Sequence, residues 1–348
     1  MSRRLSIFCR KCSPALLFLL VCLPAFSQYN FAELDKSIAA QKKELGKNVV
    51  VMICKGGKVI YKKESDDLKA GSQEPFGDCS SWLTAALVMT FVDQGKISLD
   101  DKVGKYLPVF NDYGKKFITI RHCLTHMTGI HSDQGVMKWL EKSHFASLDD
   151  EVKSYANKKE IENNPGVDFF YSQVGANIVG RILEVVGKKS FDQLMNERIL
   201  RPINMHNTSF FNEHGASPAS GAVSAAQDYL NFMAMLLNKG MFNNKRVLSE
   251  NAVAEMEKAQ ITEAQIKYAP ELDKGYLFGL GEWIESTDAS GNAQVVSYPG
   301  ALGAWPVFDR CGDYACVIFA KGELTDKRKK IYSDIKRVID EIIPSHCK

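Results

Sequence analysis

The stretch that decides the fold is Trp-Leu-Thr-Ala-Ala-Leu-Val-Met-Thr-Phe-Val at residues 82–92. Its apolar residues lie on almost every side of a 3.6-residue helical repeat, which is typical of a helix buried all round. Gly95 follows and predicts the end of this helix, because glycine adopts the left-handed conformation of a helix C-terminus without steric cost. We therefore expect a core helix around which the rest of the chain packs.

Strand patterns lie before and after this helix. Residues 48–54 form a β-branched run, and the turn 55–58 leads to residues 59–61, which predicts a hairpin. Later strands are predicted at 276–284, 294–297, 304–308 and 315–320, followed by an amphipathic helix at 327–343. Because the two groups of strands flank a block of short helices, we expect an α+β fold with one antiparallel sheet.

The composition is that of a globular protein, with 348 residues, 45% of them hydrophobic and 24% charged. Four of the 44 Lys and Arg residues lie within residues 1–27, which contain no acidic residue. The rest of the chain therefore has 40 basic residues against 41 acidic ones. This nearly neutral balance argues against a nucleic-acid partner.

Residues 1–27 have the features of a signal peptide: basic residues, an apolar run at 15–23, and the sequence Pro-Ala-Phe-Ser at 24–27. The run is shorter than the roughly 20 residues that a transmembrane helix needs. We therefore expect a mature chain of residues 28–348 that is periplasmic or secreted and has no transmembrane segment. A lipoprotein anchored at Cys22 is disfavoured, because bulky Val21 stands where a small residue is expected.

Six cysteines follow residue 27, and they have two interpretations. Cys311 and Cys316 flank a turn between apolar stretches, so they could form a disulfide across a hairpin, or they could be buried reduced thiols. His122 and His126 have the i, i+4 spacing of a zinc-binding pair, but no acidic or cysteine cluster in their segment completes a site. The sequence therefore predicts no metal and no cofactor.

Six segments carry a further signal when they are taken together. They run from Ser81 to Asp101, from Ile118 to Gly129, from Phe170 to Ser172, from Arg201 to Met205, from Ser224 to Asp228 and from Tyr298 to Ala301. Their order and spacing resemble the serine β-lactamase and penicillin-binding-protein superfamily, in the branch of class C β-lactamases, D,D-carboxypeptidases and esterases. The resemblance implies an antiparallel sheet flanked by helices, at about 28–75 and 270–348, and a mostly helical subdomain at about 76–269. The active site is expected between them.

In this family, the resemblance implies acyl transfer through a serine at the start of the buried helix, in a Ser-x-x-Lys motif. Residues three apart on a helix share one face, so a desolvated neutral lysine can accept the proton of the serine hydroxyl. A Tyr-x-Asn motif and a strand motif, Lys-Thr-Gly or His-x-Gly, complete the site. Two backbone N–H groups, from the serine and from the residue after the strand glycine, form the oxyanion hole.

The chain departs from this pattern at the catalytic pair. When the motif is aligned on residues 82–85, Asp78 stands at the nucleophile position and Ser81 at the lysine position. By analogy with another class of hydrolase, such a loss costs on the order of 10⁶ in turnover, so we predict a catalytically inactive homologue. Asp78 is expected to cap the helix, because aspartate is a favoured N-cap residue. Its carboxylate would also lie beside the oxyanion N–H groups.

The other two motifs are altered as well. The second reads Tyr171-Ser172-Gln173, which keeps the tyrosine and lengthens the amide side chain, and the third reads Tyr298-Pro299-Gly300, which has no cation. Ala301 becomes the counterpart for the second oxyanion N–H. Compared with the family pattern, the cleft has less positive charge, so we expect a small-molecule or peptide ligand that is cationic or neutral. Tyr171, Tyr298 and Trp305 are expected to offer aromatic faces to this ligand.

Two alternatives stay open. Ser80, Ser81 or Cys79 could act as a substitute nucleophile in an active esterase, D,D-peptidase or β-lactamase with a rearranged site. Cys79, however, is rotated by about 100° from Asp78 on the helix, which favours its burial in the core. The second alternative is a structural or interaction module that uses surfaces away from the cleft. We favour an inactive homologue that acts by binding a ligand or partner in the cell envelope.

Overall fold

A computed structural model describes residues 29–112, 114–131, 145–211 and 216–347. The predicted signal peptide at 1–27, with Cys22, lies outside these residues. No helix in the described ranges is long and apolar enough to cross a membrane.

The predicted buried helix is present as α3, and its residues from Ser80 to Phe91 are buried. The helices of the described ranges are α1 (Ala32–Ala40), α2 (Lys42–Leu45), α3 (Ser80–Asp93), α4 (Ile120–Leu124), α5 (Leu148–Asn157), α6 (Val174–Gly187), α7 (Phe191–Met195), α8 (Ala226–Leu237), α9 (Glu250–Met256) and α10 (Asp326–Ile342). Short 3-10 turns include Glu271–Asp273, which lies close to the site described below.

Seven strands form one antiparallel sheet in the order β2-β1-β13-β12-β11-β10-β9. The strands among the described residues are β1 (Val49–Lys55), β2 (Lys58–Glu64), β3 (Glu74–Gly77), β4 (Phe169–Phe170), β5 (Ala222–Ser224), β6 (Met241–Phe242), β7 (Lys245–Arg246), β8 (Ile266–Tyr268), β9 (Leu277–Phe278), β10 (Trp283–Thr287), β11 (Ala293–Ser297), β12 (Ala304–Asp309) and β13 (Tyr314–Ala320). Val49 of β1 lies opposite Ala320 of β13. The early hairpin and the late strands therefore share a sheet, which confirms the predicted α+β fold.

The two faces of the sheet carry different layers. One face packs against α1 and α10, and the other packs against the core that contains α3 and α8. Trp305 belongs to the α10 side, where its ring stacks on Tyr332 with 6.0 Å between the centroids. The prediction that Trp305 offers an aromatic face to the cleft is therefore wrong, because alternate residues of a strand point to opposite faces of the sheet.

The strand predicted at 276–284 is broken into β9 and β10. The break lies at Gly279–Glu282, where Gly281 has a φ of +77°. A Cβ atom at Gly281 would lie 2.5 Å from the Cβ atom of Ala85, so only glycine lets this turn approach α3. The apolar pattern of the segment hides this contact because it is made between residues distant in the sequence.

The disulfide joins Cys311 to Cys347, a pair separated by 36 residues. Cys316 lies inside β13, opposite Val307 of β12, and has a buried free thiol. Of the two interpretations left open by the sequence, the Cys311–Cys316 disulfide is wrong, and a buried reduced thiol is correct for Cys316, because Cys316 is part of the strand ladder and Cys311 belongs to the turn. The bond fastens the end of the described chain to the turn between β12 and β13.

Candidate functional site

The site is centred on Asp78, in the connection between β3 and α3. The side chain is 3% exposed. It does not cap α3, whose N-terminus has no side-chain cap, so the predicted capping role is wrong. The reason is that the carboxylate accepts hydrogen bonds from Ala301, in the loop after β11, and from Tyr171, which follows β4.

Both oxygens of Asp78 accept hydrogen bonds. Oδ1 accepts from the backbone N–H of Ala301 at 3.1 Å, and Oδ2 accepts from the Tyr171 hydroxyl at 3.2 Å. Burial raises the pKa of Asp78 to about 7, although the N–H groups of Ala301 and of Asp78 itself, together with Tyr171, act in the opposite direction. These two N–H groups are the ones that the family resemblance assigns to the oxyanion hole. By that assignment, the carboxylate takes the place that the resemblance gives to a reacting substrate oxygen.

Two tyrosines continue the hydrogen-bonded network from Asp78. The hydroxyls of Tyr171 and Tyr298 lie 2.8 Å apart, and either can be the donor. The ring of Tyr171 packs against Trp283 at 5.8 Å and against His126 at 4.5 Å, and the ring of Tyr298 packs 6.4 Å from Trp82. Burial raises the pKa of both tyrosines well above the usual value, so both hydroxyls stay protonated. The two rings are packed against core aromatic residues, so only the hydroxyl groups of the two tyrosines take part in the hydrogen bonds of the site.

The three candidate substitute nucleophiles are held by backbone groups. Ser81 donates to the carbonyl of Ala219 at 3.1 Å, and Ser80 donates to the carbonyl of Gly77. The Cys79 thiol contacts the carbonyl of Tyr298 at 3.4 Å, and burial raises its pKa well above the usual value. Cys79 thus lies in the core as a protonated thiol, as its rotation on the helix predicts. In the described ranges, no lysine, arginine or histidine hydrogen-bonds to Asp78 or Ser81.

The remaining predicted positions, Gly300 and Gln173, border the same network. A Cβ atom at Gly300 would lie 2.6 Å from the Cys79 sulfur, which explains why the loop passes over α3 at a glycine. Gln173 directly precedes α6 and is half-buried. Its Nε2 atom is buried and has no hydrogen-bond partner among the residues that the structure describes. The amide therefore has an unused donor beside the tyrosine motif.

Asp273 is a site residue that the sequence did not reveal. The parallel pairing of β8 with β4 brings its segment alongside the tyrosine motif, where the N–H of Tyr171 donates to the carbonyl of Tyr268 at 3.1 Å. Asp273 is 2% exposed, and its Oδ1 atom has no hydrogen-bond partner in the described part of the chain. Burial, and then the charge of Asp78, raise the pKa of Asp273 well above its usual value. A second buried acid therefore lies within electrostatic reach of Asp78.

His126 contacts two residues of the tyrosine motif, Tyr171 and Ser172. Its Nδ1 atom accepts the backbone N–H of Ser172 at 3.3 Å, and its ring lies against that of Tyr171. Burial lowers the pKa of His126 to about 3, so the ring is neutral and acts as an acceptor. His122 instead accepts from the N–H of Thr119 at 3.3 Å in the cap of α4. The two histidines thus have separate partners.

Comparisons with known proteins agree with this architecture. The family model described as Beta-lactamase matches residues 38–338. Protein flp from Staphylococcus aureus (strain MW2) is 27% identical over 171 residues, which is 46% of this chain and 34% of that relative. The matched part of the chain thus spans about a third of the length of this relative.

Two solved structures are similar over nearly their whole length. A candidate β-lactamase from Bacteroides dorei DSM 17855 has a TM-score of 0.79 and 24% identity, with coverage of 90% of this chain and 99% of that chain. EstCE1, described as a hydrolase with promiscuous acyltransferase activity, has a TM-score of 0.73 and 19% identity, with coverage of 88% and 98%. At these identities the likeness establishes the fold.

Proposed function

We propose, from the premise that this chain belongs to the Beta-lactamase family, that it is an exported, catalytically silent member that acts by binding. The binding site is the one around Asp78, between the sheet and the helical subdomain. The ligand is a small molecule or a peptide. Export rests on the sequence of residues 1–27 alone.

The observation that carries this proposal is the position of the Asp78 carboxylate. In an acyl-transfer enzyme, the oxyanion hole must receive the developing negative charge of the substrate oxygen. Here Asp78 Oδ1 accepts the Ala301 N–H at 3.1 Å. A substrate carbonyl would have to displace this oxygen, and its developing charge would meet an acid group. The chain thus blocks the step that the oxyanion hole stabilises.

At the start of α3, no described candidate nucleophile is hydrogen-bonded to a base, which supports the same conclusion. The hydroxyls of Ser81 and Ser80 donate hydrogen bonds to backbone carbonyls, and the Cys79 thiol is protonated. In another class of hydrolase, loss of the nucleophile or its base lowers turnover by on the order of 10⁶. An active enzyme with a rearranged site would need one of these groups to leave its backbone partner.

A reversion experiment tests the proposal. The purified protein and the double variant Asp78→Ser with Ser81→Lys are each incubated with a fluorescent penicillin and with p-nitrophenyl acetate. We expect no acylation of the parent and measurable acylation of the double variant, because the reversion frees the oxyanion N–H and restores a base beside a hydroxyl. Asp78→Ser alone is the matched control, since it frees the N–H without adding a base.

Stoichiometric burst kinetics in the parent protein would contradict the proposal. Mass spectrometry of the acylated parent would then identify the substitute nucleophile. If neither the parent nor the double variant is acylated, the folded state of the double variant is checked by circular dichroism and by its melting temperature. A folded but inert double variant would mean that residues beyond this pair have also changed, and the parent would still count as silent.

A further inference from the structure

We infer that this protein docks on an anionic lipid bilayer through a lysine-rich face formed by residues 42–47 and 321–330. The first segment contains α2, and the second contains the start of α10. This inference goes beyond the proposed function, because it concerns a surface outside the hydrogen-bonded network of Asp78.

The first observation is the concentration of positive charge in these two segments. They read Lys-Lys-Glu-Leu-Gly-Lys at 42–47 and Lys-Gly-Glu-Leu-Thr-Asp-Lys-Arg-Lys-Lys at 321–330. Together they contain eight basic residues against three acidic ones, a net charge of +5. The chain after residue 27 has 40 basic residues against 41 acidic ones, a net charge of −1. Positive charge is therefore gathered in two short segments that are far apart in the sequence.

The second observation is that the fold joins the two segments. Lys327 Nζ pairs with the Glu44 carboxylate at 2.8 Å, and Arg328 Nε donates to the backbone carbonyl of Glu44 at 3.1 Å. The backbone N–H of Lys321 donates to the carbonyl of Asn48 at 3.0 Å. The helices α1 and α10 also pack on the same face of the sheet. The two segments therefore form one continuous surface.

The third observation is that most of this charge is exposed. The exposed cations are Lys42, Lys43, Lys47, Lys321, Lys327 and Lys330. Lys321 pairs with Glu74 and Lys327 with Glu44, whereas the other four form no ion pair among the residues that the structure describes. With half-buried Arg328, the face has seven cations against four acids, Glu44, Glu74, Glu323 and Asp326. A net charge of +3 therefore remains for a partner.

The fold explains only some of the cations at the start of α10. Three cations lie in its first turn, where the positive end of the helix dipole disfavours them, and Lys330 follows. Arg328 donates to three backbone carbonyls, and Lys329 Nζ lies 4.6 Å from the centre of the Tyr276 ring. Lys327 has only an exposed ion pair, which contributes little to stability. The exposed lysines of this turn therefore have a role outside the fold.

The composition of the face favours lipid over a protein partner. Interfaces between proteins are enriched in aromatic residues and arginine and depleted in lysine. Neither segment contains an aromatic residue, and the apolar side chains Leu45 and Leu324 are buried. Clustered lysines are attracted by the negative potential of anionic lipid headgroups, and their contributions add up. An anionic bilayer is therefore the partner that this charge pattern matches.

The lysine-rich face is connected to the site around Asp78 by a short path. The backbone N–H of Leu324 donates to the carbonyl of Ala301 at 2.9 Å. The N–H of Ala301 in turn donates to Asp78 Oδ1 at 3.1 Å. A bilayer on this face would therefore hold the loop of the binding site close to the lipid surface.

Vesicle sedimentation tests the inference. The chain from residue 28 onward is mixed with vesicles of pure phosphatidylcholine and with vesicles that contain roughly one-third phosphatidylglycerol. At about 0.05 M NaCl we expect at least about tenfold stronger binding to the anionic vesicles, and at about 0.5 M NaCl we expect this preference to disappear, because salt screens exposed charges. Equal binding to both vesicles, no binding to the anionic ones, or binding that salt does not weaken would overturn the inference.

A charge-matched pair of variants locates the binding surface. The first variant neutralises the four lysines of the face that have no ion pair, by Lys42→Gln, Lys43→Gln, Lys47→Gln and Lys330→Gln. The control variant removes the same charge from exposed lysines elsewhere, by Lys158→Gln, Lys188→Gln, Lys245→Gln and Lys258→Gln. We expect the first variant to bind anionic vesicles at least about tenfold more weakly than the control. Equal losses in the two variants would mean that net charge, and not this face, determines binding.

A smaller variant covers the case in which the fourfold change disturbs folding. Circular dichroism and the melting temperature check both fourfold variants. Lys43→Gln with Lys330→Gln changes one exposed side chain on each segment and should weaken binding to anionic vesicles severalfold relative to Lys158→Gln with Lys258→Gln. An unchanged affinity in this folded double variant would contradict the inference.

Discussion

Two buried aspartates near the same helix, Asp309 of β12 and Asp273, differ in how their charges are met. They are 7% and 2% exposed. Asp309 accepts from Lys336 Nζ at 3.0 Å and from the N–H of Gly312 at 2.8 Å. Asp273 lies near Lys329, seven residues earlier on α10, but has an oxygen without a partner in the described ranges. A carboxylate that stabilises the fold is saturated with donors, as Asp309 is, whereas Asp273 has an oxygen that is unsatisfied in the part of the chain that the structure describes.

The largest effect is expected when the saturated pair is broken. Lys336→Ala should lower the free energy of unfolding by about 3–5 kcal/mol, because it leaves Asp309 buried without its cation. Urea unfolding followed by circular dichroism measures the change. Lys330→Ala is the control, since Lys330 is exposed on the same helix. A loss below about 1 kcal/mol for Lys336→Ala would mean that Asp309 is not stabilised by this pair, and the contrast with Asp273 would disappear.

The next effect concerns Asp78 and depends on pH. Its pKa is raised from 3.8 to about 7 by burial, so between these values the native state holds a proton that the unfolded state has lost. The stability of the native state therefore falls as the pH rises from about 4 to 7, and then becomes constant. Asp78→Asn removes this dependence and should be more stable than the parent by roughly 2–4 kcal/mol at pH 8.

Thermal and urea unfolding at pH 5 and pH 8 measure the difference between Asp78→Asn and the parent. We expect the difference to be larger at pH 8. Asp67→Asn, at an exposed aspartate, controls for the general change in charge. If the parent gains stability between pH 5 and 8 relative to Asp78→Asn, the carboxylate is stabilised by its donors more than it is penalised by burial.

The fold could be predicted because its signals are local. The run at 82–92 is apolar on almost every side, and the late strands are short apolar stretches between turn residues, so periodicity alone identifies them. Periodicity failed at 276–284, where Gly281 breaks the strand because α3 packs against it. It also failed for the disulfide, because pairing of Cys311 with Cys347 depends on where the C-terminal helix ends.

The site could be predicted only as far as the motifs extend. The aligned positions of Asp78, Tyr171 and Tyr298 lie together, joined by hydrogen bonds. The direction of the Asp78 side chain was not predictable. An aspartate can accept hydrogen bonds from the N-terminus of a helix or from Ala301, and the residue type is the same in both cases. Asp273 was missed because Glu-Leu-Asp-Lys at 271–274 has the pattern of an exposed charged turn. Its turn packs against α10, far along the chain, and no local pattern encodes this contact.

A smaller effect distinguishes two buried tyrosines on the two faces of the sheet. Tyr332 donates to the carbonyl of Gly303 at 2.8 Å and accepts the N–H of Ala320 at 2.9 Å, so it satisfies two backbone groups. Tyr298→Phe removes one hydroxyl–hydroxyl contact and should cost about 1 kcal/mol, whereas Tyr332→Phe leaves buried backbone groups unpaired and should cost about 2 kcal/mol. Unfolding of both variants in urea gives the comparison. Equal losses would mean that the Tyr171–Tyr298 network stabilises the fold as much as the backbone contacts do.

The smallest effect should have the opposite sign, and it concerns Asp273. Because burial and the charge of Asp78 disfavour ionisation of this carboxyl, Asp273→Asn should raise the free energy of unfolding at neutral pH, by on the order of 1 kcal/mol. Glu271→Gln, an exposed change in the same turn, should have no measurable effect. The test is urea unfolding of both variants without ligand. A loss of stability in Asp273→Asn would place Asp273 beside Asp309 as a carboxylate that the fold needs. A gain would mean that the chain keeps this acid at a cost in stability.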